Sequence, residues 1–268
     1  MKRIALFSPT GYIGSLLREY LLKDKDIELF NITRKSCLDE VYGEYDLMIY
    51  SAATANGETL KLIQDNVMAV VSNIDFCKKH NVKRIIYLST DSIYGELNTD
   101  EVSENNVVMV NPNFYGTTKY LAEKIIIESG IPYYILRMPG VVGRVWRSTY
   151  FYRLIDKIDN RETVTLYNAQ REFNNVLDID DLMRFVMLLC DCGGNKSEIF
   201  LMGNTKKEKL EKVVQYIKKL CRSDSEIKVV NGKDKRYFTL NVDKAVAYGY
   251  SSKSIWSIID ELYAIKKS

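Results

Sequence analysis

The chain has 268 residues, 46% hydrophobic and 27% charged, and its 38 basic and 35 acidic side chains leave a net charge of +3. That apolar content fills a sizeable core and excludes a disordered chain. The near balance of charge gives no nucleic-acid footprint, and no apolar run approaches the roughly 18 to 20 residues of a membrane span.

The opening Lys2-Arg3-Ile4-Ala5-Leu6-Phe7 is basic and then apolar. It turns into Ser8-Pro9-Thr10-Gly11 after four apolar residues, so it reads as a first strand over 3–7 and not as a signal peptide. A helical spacing follows over 14–22, then strand-like runs over 27–32 and 46–50. A long helical pattern covers 58–79 and ends in Lys78-Lys79-His80-Asn81, where His80 reads as an exposed helix-terminal residue. Because His80 is the only histidine, HExxH metalloproteases and multi-histidine metal sites are excluded, and no metal site is expected. The β-branched run 84–89, the helical stretch 115–128 and the apolar run 133–137 complete an alternation of short buried strands and amphipathic helices. The fold class is α/β, a doubly wound parallel sheet.

Beyond Pro139 the pattern loosens: helices over 150–158, 180–189, 206–220 and 254–265, and extended runs over 163–167, 172–177, 197–202, 227–230 and 237–240. Asp180 and Asp181 read as the N-cap and first-turn acid of a helix. The chain divides at 140 into a dinucleotide-binding core and a small substrate lobe, 141–268, interleaved with core elements that return over about 173–202. Cys37, Cys77, Cys190, Cys192 and Cys221 are odd in number and form no CxxC pair, which reads as reduced thiols in a cytoplasmic protein.

Two segments carry chemistry. Ser8-Pro9-Thr10-Gly11-Tyr12-Ile13-Gly14 joins the first strand to a helix, and a glycine turn there presents backbone N–H groups and the helix dipole to a pyrophosphate. Gly11 allows close approach and Gly14 close helix–strand packing. Tyr115-Gly116-Thr117-Thr118-Lys119 sets a tyrosine and a lysine one helical turn apart. A phenol has an unperturbed pKa near ~10, and a neighbouring ammonium lowers it toward general acid/base use.

Thr10-Gly11-Tyr12-Ile13-Gly14 resembles the TGxxGxxG-type loop of the extended short-chain dehydrogenase/reductases, the NAD-dependent epimerase/dehydratase family that modifies nucleotide sugars. Ser8 and Pro9 depart from that pattern, adding a Cβ at the turn and removing an N–H. Ser89-Thr90-Asp91-Ser92-Ile93-Tyr94-Gly95 is similar to the family's S-S/T-x-x-V-Y-G segment, and 113–124 to its Y-G-x-T/S-K-x-x-x-E run, most like the deoxysugar 4-keto reductases. The resemblance covers about 3–185 and implies Thr90, Tyr115 and Lys119 as the catalytic set. It implies cofactor contacts from Thr10, Gly11, Tyr12, Ile13, Thr33, Arg34, Ala52, Ala53, Asn66, Tyr115, Lys119, Met138 and Val141, and substrate contacts from Asp91, Ser92 and, at a diphosphate, Arg171.

Thr33 stands where NAD-binding members carry an acid, and Arg34 follows, so NADP is favoured over NAD. Ser92 replaces the dehydratase glutamate and the cysteine of certain epimerases, and His80 lies in the wrong segment to assist, which disfavours both reactions. Reduction of a 4-keto nucleotide sugar leads. A C4 epimerase with tightly held NAD is the alternative, and a non-catalytic dinucleotide-binding sensor or partner-binding module is the reading from another class. In the family the helix from 58 and the helix carrying Tyr115 pair in homodimers, for which Val70, Ile74, Leu121 and Ile125 could serve as a face, or they could simply cover the sheet. The chain is short for the family, with the deficit in the substrate lobe. That implies a sugar pocket that is open or completed by a partner.

Overall fold

Strands and helices alternate along the chain, and the strands at the centre of the sheet are buried on both faces. In the computed structural model, residues 1–33, 43–105, 107–147, 149–230 and 236–268 are described. The order is β1 (Lys2–Phe7), α1 (Tyr12–Leu21), β2 (Ile27–Ile32), β3 (Leu47–Tyr50), α2 (Thr59–Ile63), a π-helical turn (Gln64–Met68), α3 (Ala69–Lys79), β4 (Ile85–Thr90) and a 3-10 turn (Asp91–Tyr94). There follow β5 (Asn98–Val102), α4 (Phe114–Glu128), β6 (Tyr133–Met138), β7 (Gly140–Val142), α5 (Tyr150–Asp159), β8 (Val164–Tyr167), β9 (Glu172–Phe173), β10 (Val176–Asp178), α6 (Ile179–Asp191) and β11 (Glu198–Leu201). The chain closes with β12 (Glu208–Lys209), α7 (Leu210–Leu220), β13 (Ile227–Val230), β14 (Tyr237–Leu240), α8 (Asp243–Ala247) and α9 (Ile255–Lys267).

One six-stranded sheet runs β11-β6-β4-β3-β1-β2. β1 pairs in parallel with both β2 and β3, and β3 in parallel with β4. Every residue of β3 and β4 is buried, as the apolar runs Leu47–Tyr50 and 85–88 require, and β4 ends in the buried hydroxyls of Ser89 and Thr90. The chain leaves β1 toward β2 on one side and returns through β3 and β4 on the other. The strand order therefore reverses at β1 and β3, and the crevice outside their carboxyl ends is where an open α/β sheet binds ligands.

By its contacts the chain forms two units. The first is 1–95, 112–137 and 183–200 and holds the sheet, with a core that includes Ala5, Phe7, Tyr50, Ile85, Tyr87, Ala122 and Ile135. The second is 96–111, 138–182 and 201–268. It is built of two-stranded pairs, β5 with β14, β7 with β10, β8 with β13 and β9 with β12, and of α5, α7 and α9 around Phe151, Ile155, Val213, Ile217, Ile258 and Leu262. Segment 96–111 thus belongs to the second unit, and 183–200 is the part that returns to the first.

Several expectations are corrected. The extended run 172–177 is two strands in different pairs, because the chain leaves β9 before Val176 pairs with Gly140. The helix expected from 206 begins at Leu210, since Glu208 and Lys209 pair with β9. β5, with its polar sequence Asn-Thr-Asp-Glu-Val, is a strand only because β14 pairs with it from far along the chain. The residue that caps α6 is Asp178: its Oδ1 accepts from the N–H of Asp180 at 3.0 Å and of Asp181 at 3.3 Å, and those two acids occupy the first turn. His80 is 5% exposed instead of solvated. Its ring packs on Phe76 at 4.4 Å, and Nδ1 lies 3.1 Å from the Gly43 carbonyl.

Candidate active site

The crevice at the carboxyl ends of β1 and β3 opens into a cleft of about 780 Å³, lined by Phe7, Ser8, Thr10, Gly11, Ile32, Thr33, Tyr50, Ala52, Ala53, Asp65, Ala69, Ser72 and Asn73. Gly11 precedes α1 in extended conformation and no side chain caps the helix, which leaves its start to an anion. Gly14 is required by packing: a Cβ there would lie 2.0 Å from the Ser8 carbonyl oxygen. Ser8, where the family carries glycine, takes φ +63, a left-handed conformation that an L side chain occupies at a cost of about 1–2 kcal/mol. The loop is held by Ser51, a residue the sequence did not single out. Its hydroxyl donates to the Phe7 carbonyl at 2.8 Å and reaches that of Ser8 at 3.3 Å. A helix start without a cap and a cleft of this size, with apolar walls, fit a dinucleotide.

Of the expected cofactor contacts, Thr10, Gly11, Thr33, Ala52 and Ala53 line this cleft. Tyr12 and Ile13 form the first turn of α1. Asn66, in the π-helical turn, is 1% exposed, and its carboxamide is taken up by the protein. It accepts from Thr54 N and donates to Thr54 O, both at 2.9 Å, and donates to Thr118 Oγ1 at 3.1 Å. The geometry gives Asn66 the work of fastening the loop after β3 to α4. Arg34 lies outside the described residues. Met138 ends β6, and Val141 lies in β7 of the second unit. Arg171, in the same unit, stacks on Tyr237 at 4.4 Å and reaches Asp100 at 3.5 Å.

The expected catalytic set comes together. Thr90 ends β4 and caps the 3-10 turn, its Oγ1 accepting from Ser92 N at 3.1 Å. Tyr115 lies in the first turn of α4, which Asn113 caps by accepting from Gly116 N at 2.8 Å. Gly116 lets α4 approach the 3-10 turn, since a Cβ there would meet the Ser92 carbonyl at 2.3 Å. Thr90 lies close enough to the Tyr115 phenol to lower its pKa. The Thr90 hydroxyl itself donates to Ser92 Oγ at 3.1 Å. Burial pushes the Tyr115 phenol up to about 12, the Asp91 carboxylate adds to the rise, and the nearby Thr90 hydroxyl opposes it. Burial and Asp91, and not the Lys119 ammonium, act on the phenol of the chain by itself; the expected lowering also draws on the positive nicotinamide ring.

Lys119 is fully buried. Its Nζ donates to the Leu88 carbonyl at 2.7 Å and lies 4.1 Å from the centre of the Tyr87 ring. Burial pulls its pKa down to about 7, and the Glu123 carboxylate one turn on opposes that fall. Glu123 anchors a network to which the sequence reading gave no role. Arg137 of β6 grips it through Nε and Nη2, the latter at 2.8 Å, with exposures of 2% and 0%. Ser89 donates to Glu123 as well, and Arg137 Nη1 reaches the Tyr94 hydroxyl at 3.2 Å. The catalytic helix is thereby tied to β4, to β6 and to the 3-10 turn that follows Thr90.

A curated relative, the UDP-glucose 4-epimerase of Caenorhabditis elegans, is 34% identical over 139 residues, covering 47% of this chain and 39% of the relative. The chain spans between about two fifths and one half of the first curated relatives it matches. Among solved structures, UDP-glucuronic acid 4-epimerase from Bacillus cereus in complex with NAD aligns with a TM-score of 0.82 at 20% identity, over 99% of this chain and 98% of that one. RMD from Pseudomonas aeruginosa complexed with NADPH aligns with a TM-score of 0.80 at 14% identity over the whole of both chains. These two likenesses show the fold. A family model, described as the NAD dependent epimerase/dehydratase family, matches residues 9–203. The chain, with its reversing parallel sheet, its glycine loop and its Thr90, Tyr115 and Lys119, belongs to the NAD dependent epimerase/dehydratase family, the extended type of short-chain dehydrogenase/reductase.

Proposed function

We propose that the protein is an NAD(P)-dependent oxidoreductase of a nucleotide-activated sugar, with Tyr115 as acid/base. The observation that carries this reading is the close packing of the first turn of α4, at Gly116, on the 3-10 turn that Thr90 caps, which brings Tyr115 to Thr90 one helical turn from the buried Lys119. The nicotinamide, when bound, supplies or accepts the hydride. Thr90 orients the sugar oxygen, and Tyr115 gives its proton to that oxygen or takes one from it. Lys119 holds a positive charge within reach of the ribose and of the developing phenolate, and its burial makes that charge easy to shed. Asp91 and Ser92 face the same sugar carbon, and Arg171 serves the diphosphate.

Two reactions use this machinery. Reduction of a 4-keto sugar is favoured by Ser92, which stands where the dehydratases carry a glutamate. C4 epimerisation is favoured by the relatives, several of which are 4-epimerases of UDP-sugars. Thr33 in the cleft at the end of β2, where an acid would select NAD, supports NADP for the reductase. Cofactor released on denaturing the purified protein separates the two: retained NAD favours the epimerase, and its absence together with oxidation of NADPH by a 4-keto sugar favours the reductase. Tyr115→Phe is expected to lower turnover by about 10²–10⁴-fold with dinucleotide binding kept. Unchanged turnover would instead support a non-catalytic dinucleotide-binding module.

A homodimer through α2, α3 and α4 is part of this reading, on a face that keeps Leu121 of the expected set and not Val70, Ile74 or the partly buried Ile125. Val70 and Ile74 are buried in the core, while Leu60, Met68, Val71, Phe114 and Leu121 are exposed. Sedimentation velocity is expected to give the mass of two chains, and that of one chain after Leu121→Glu. The free thiols of Cys77, Cys190, Cys192 and Cys221 suit the cytoplasm; Cys37 lies outside the described residues. No helix among the described residues is long and apolar enough to cross a membrane.

A further inference from the structure

Asn73 lies on α3 and lines the cleft, and it is 5% exposed. Its carboxamide has no hydrogen-bond partner among the described residues, although a buried amide left unsatisfied costs about 1–3 kcal/mol. It is also absent from the atoms sealed in the interior without a partner, which among the described residues are Tyr45 Oη, His80 Nε2, Arg84 Nε, Tyr87 Oη and Thr149 Oγ1. The Asn73 amide therefore keeps an opening, and the space it lines is the cleft. Asn66, seven residues earlier on the same helical stretch, is the opposite case, with both ends of its amide spent on the protein.

The surroundings narrow what Asn73 can bind. Phe7, Ile32, Tyr50 and Ala69 give the cleft apolar walls suited to a flat ring. The anionic part of a dinucleotide is served by the start of α1 at Gly11, and a neutral amide adds nothing there. A carboxamide offers one acceptor and one donor side by side, which matches the adjacent amino donor and ring-nitrogen acceptor on the edge of adenine. We propose that Asn73 binds the adenine of the dinucleotide, Oδ1 accepting from the 6-amino group and Nδ2 donating to N7, an edge on which hypoxanthine offers two acceptors that no flip of the amide can match. This rests on the dinucleotide reading above and adds the residue that recognises the base.

The test is a calorimetric titration of the full chain with NAD and with its hypoxanthine analogue, in which a carbonyl replaces the 6-amino group. The wild type is expected to bind NAD about tenfold more tightly than the analogue, the value of one such hydrogen bond. Asn73→Leu, close in volume, is expected to weaken NAD about tenfold and to bind the two ligands equally. The melting temperature of the free variant is expected to stay level or rise, because an unpartnered amide has left the interior. Equal affinities in the wild type overturn the proposal without any variant being needed. A preference that survives Asn73→Leu overturns it as well. The same titrations are run with NADP and its hypoxanthine analogue, and a wild type that binds none of the four overturns the dinucleotide reading and this inference together, a result distinct from the other two.

Discussion

The two sides of the crevice are built by different physics. On the α4 side the working groups are side chains set in the core: Lys119 and Glu123 are fully buried, Arg137 is 2% exposed, and their charges are met by Leu88, Ser89, Tyr94 and one another. On the α1 side the working groups are backbone, shaped by the contact between Gly14 and Ser8 and by a strained φ at Ser8. A buried ionic network tolerates little loss, because each member removed leaves an uncompensated charge. A backbone loop tolerates a departure from its sequence pattern at the cost of local strain alone. This accounts for a chain that keeps Thr90, Tyr115 and Lys119 while placing a serine at a position that suits glycine.

The contrast can be broken from either side. The largest effect is expected for Arg137→Met, which strands the Glu123 carboxylate: a loss of about 3–5 kcal/mol in urea unfolding. The double change Glu123→Leu with Arg137→Met is expected to recover at least half of it. Next is Lys119→Met, read as stability against pH. Below pH about 7 the wild type carries the ammonium unfavourably buried, and the variant does not. As pH rises from about 7 toward the ordinary lysine value the folded wild type sheds its proton while the unfolded chain keeps it. The unfolded state then binds more protons, so the wild type gains stability relative to the variant. The gap is expected to close by about 3–5 kcal/mol across that window, and a gap independent of pH would show Lys119 keeping its proton in the folded chain as in the unfolded one. The smallest effect belongs to the loop: Ser8→Gly relieves the left-handed strain at the cost of a more flexible unfolded chain. The expected net gain is about 0.5–1 kcal/mol, read as a rise in melting temperature.

Much of this protein was legible in the sequence. The apolar runs of β1, β3, β4 and β6 and the helical periods between them specify a parallel sheet, because strands buried on both faces must be apolar throughout. The loop at Gly11 and Gly14 and the helical spacing of Tyr115 and Lys119 mark both sides of the crevice, since those contacts are set by residues close in sequence. Other features escaped because their causes lie far apart in the chain. Asn98–Val102 has no strand pattern and becomes one through β14. Glu123 reads as an ordinary helix acid until Arg137 and Ser89 enclose it. Asn66 and Asn73 are the same residue type on one helical stretch. Only the packing of Thr54 and Thr118 around the first, and the cleft beside the second, separates a fastening from a free hand. The sequence by itself determined the fold class and the local chemistry, which depend on periodicity and short spacing. The tertiary structure alone decided which polar groups are spent within the protein, which are left for a ligand, and that burial raises the Tyr115 phenol in the chain by itself, because desolvation and long-range hydrogen bonds exist only once the chain has closed around those groups.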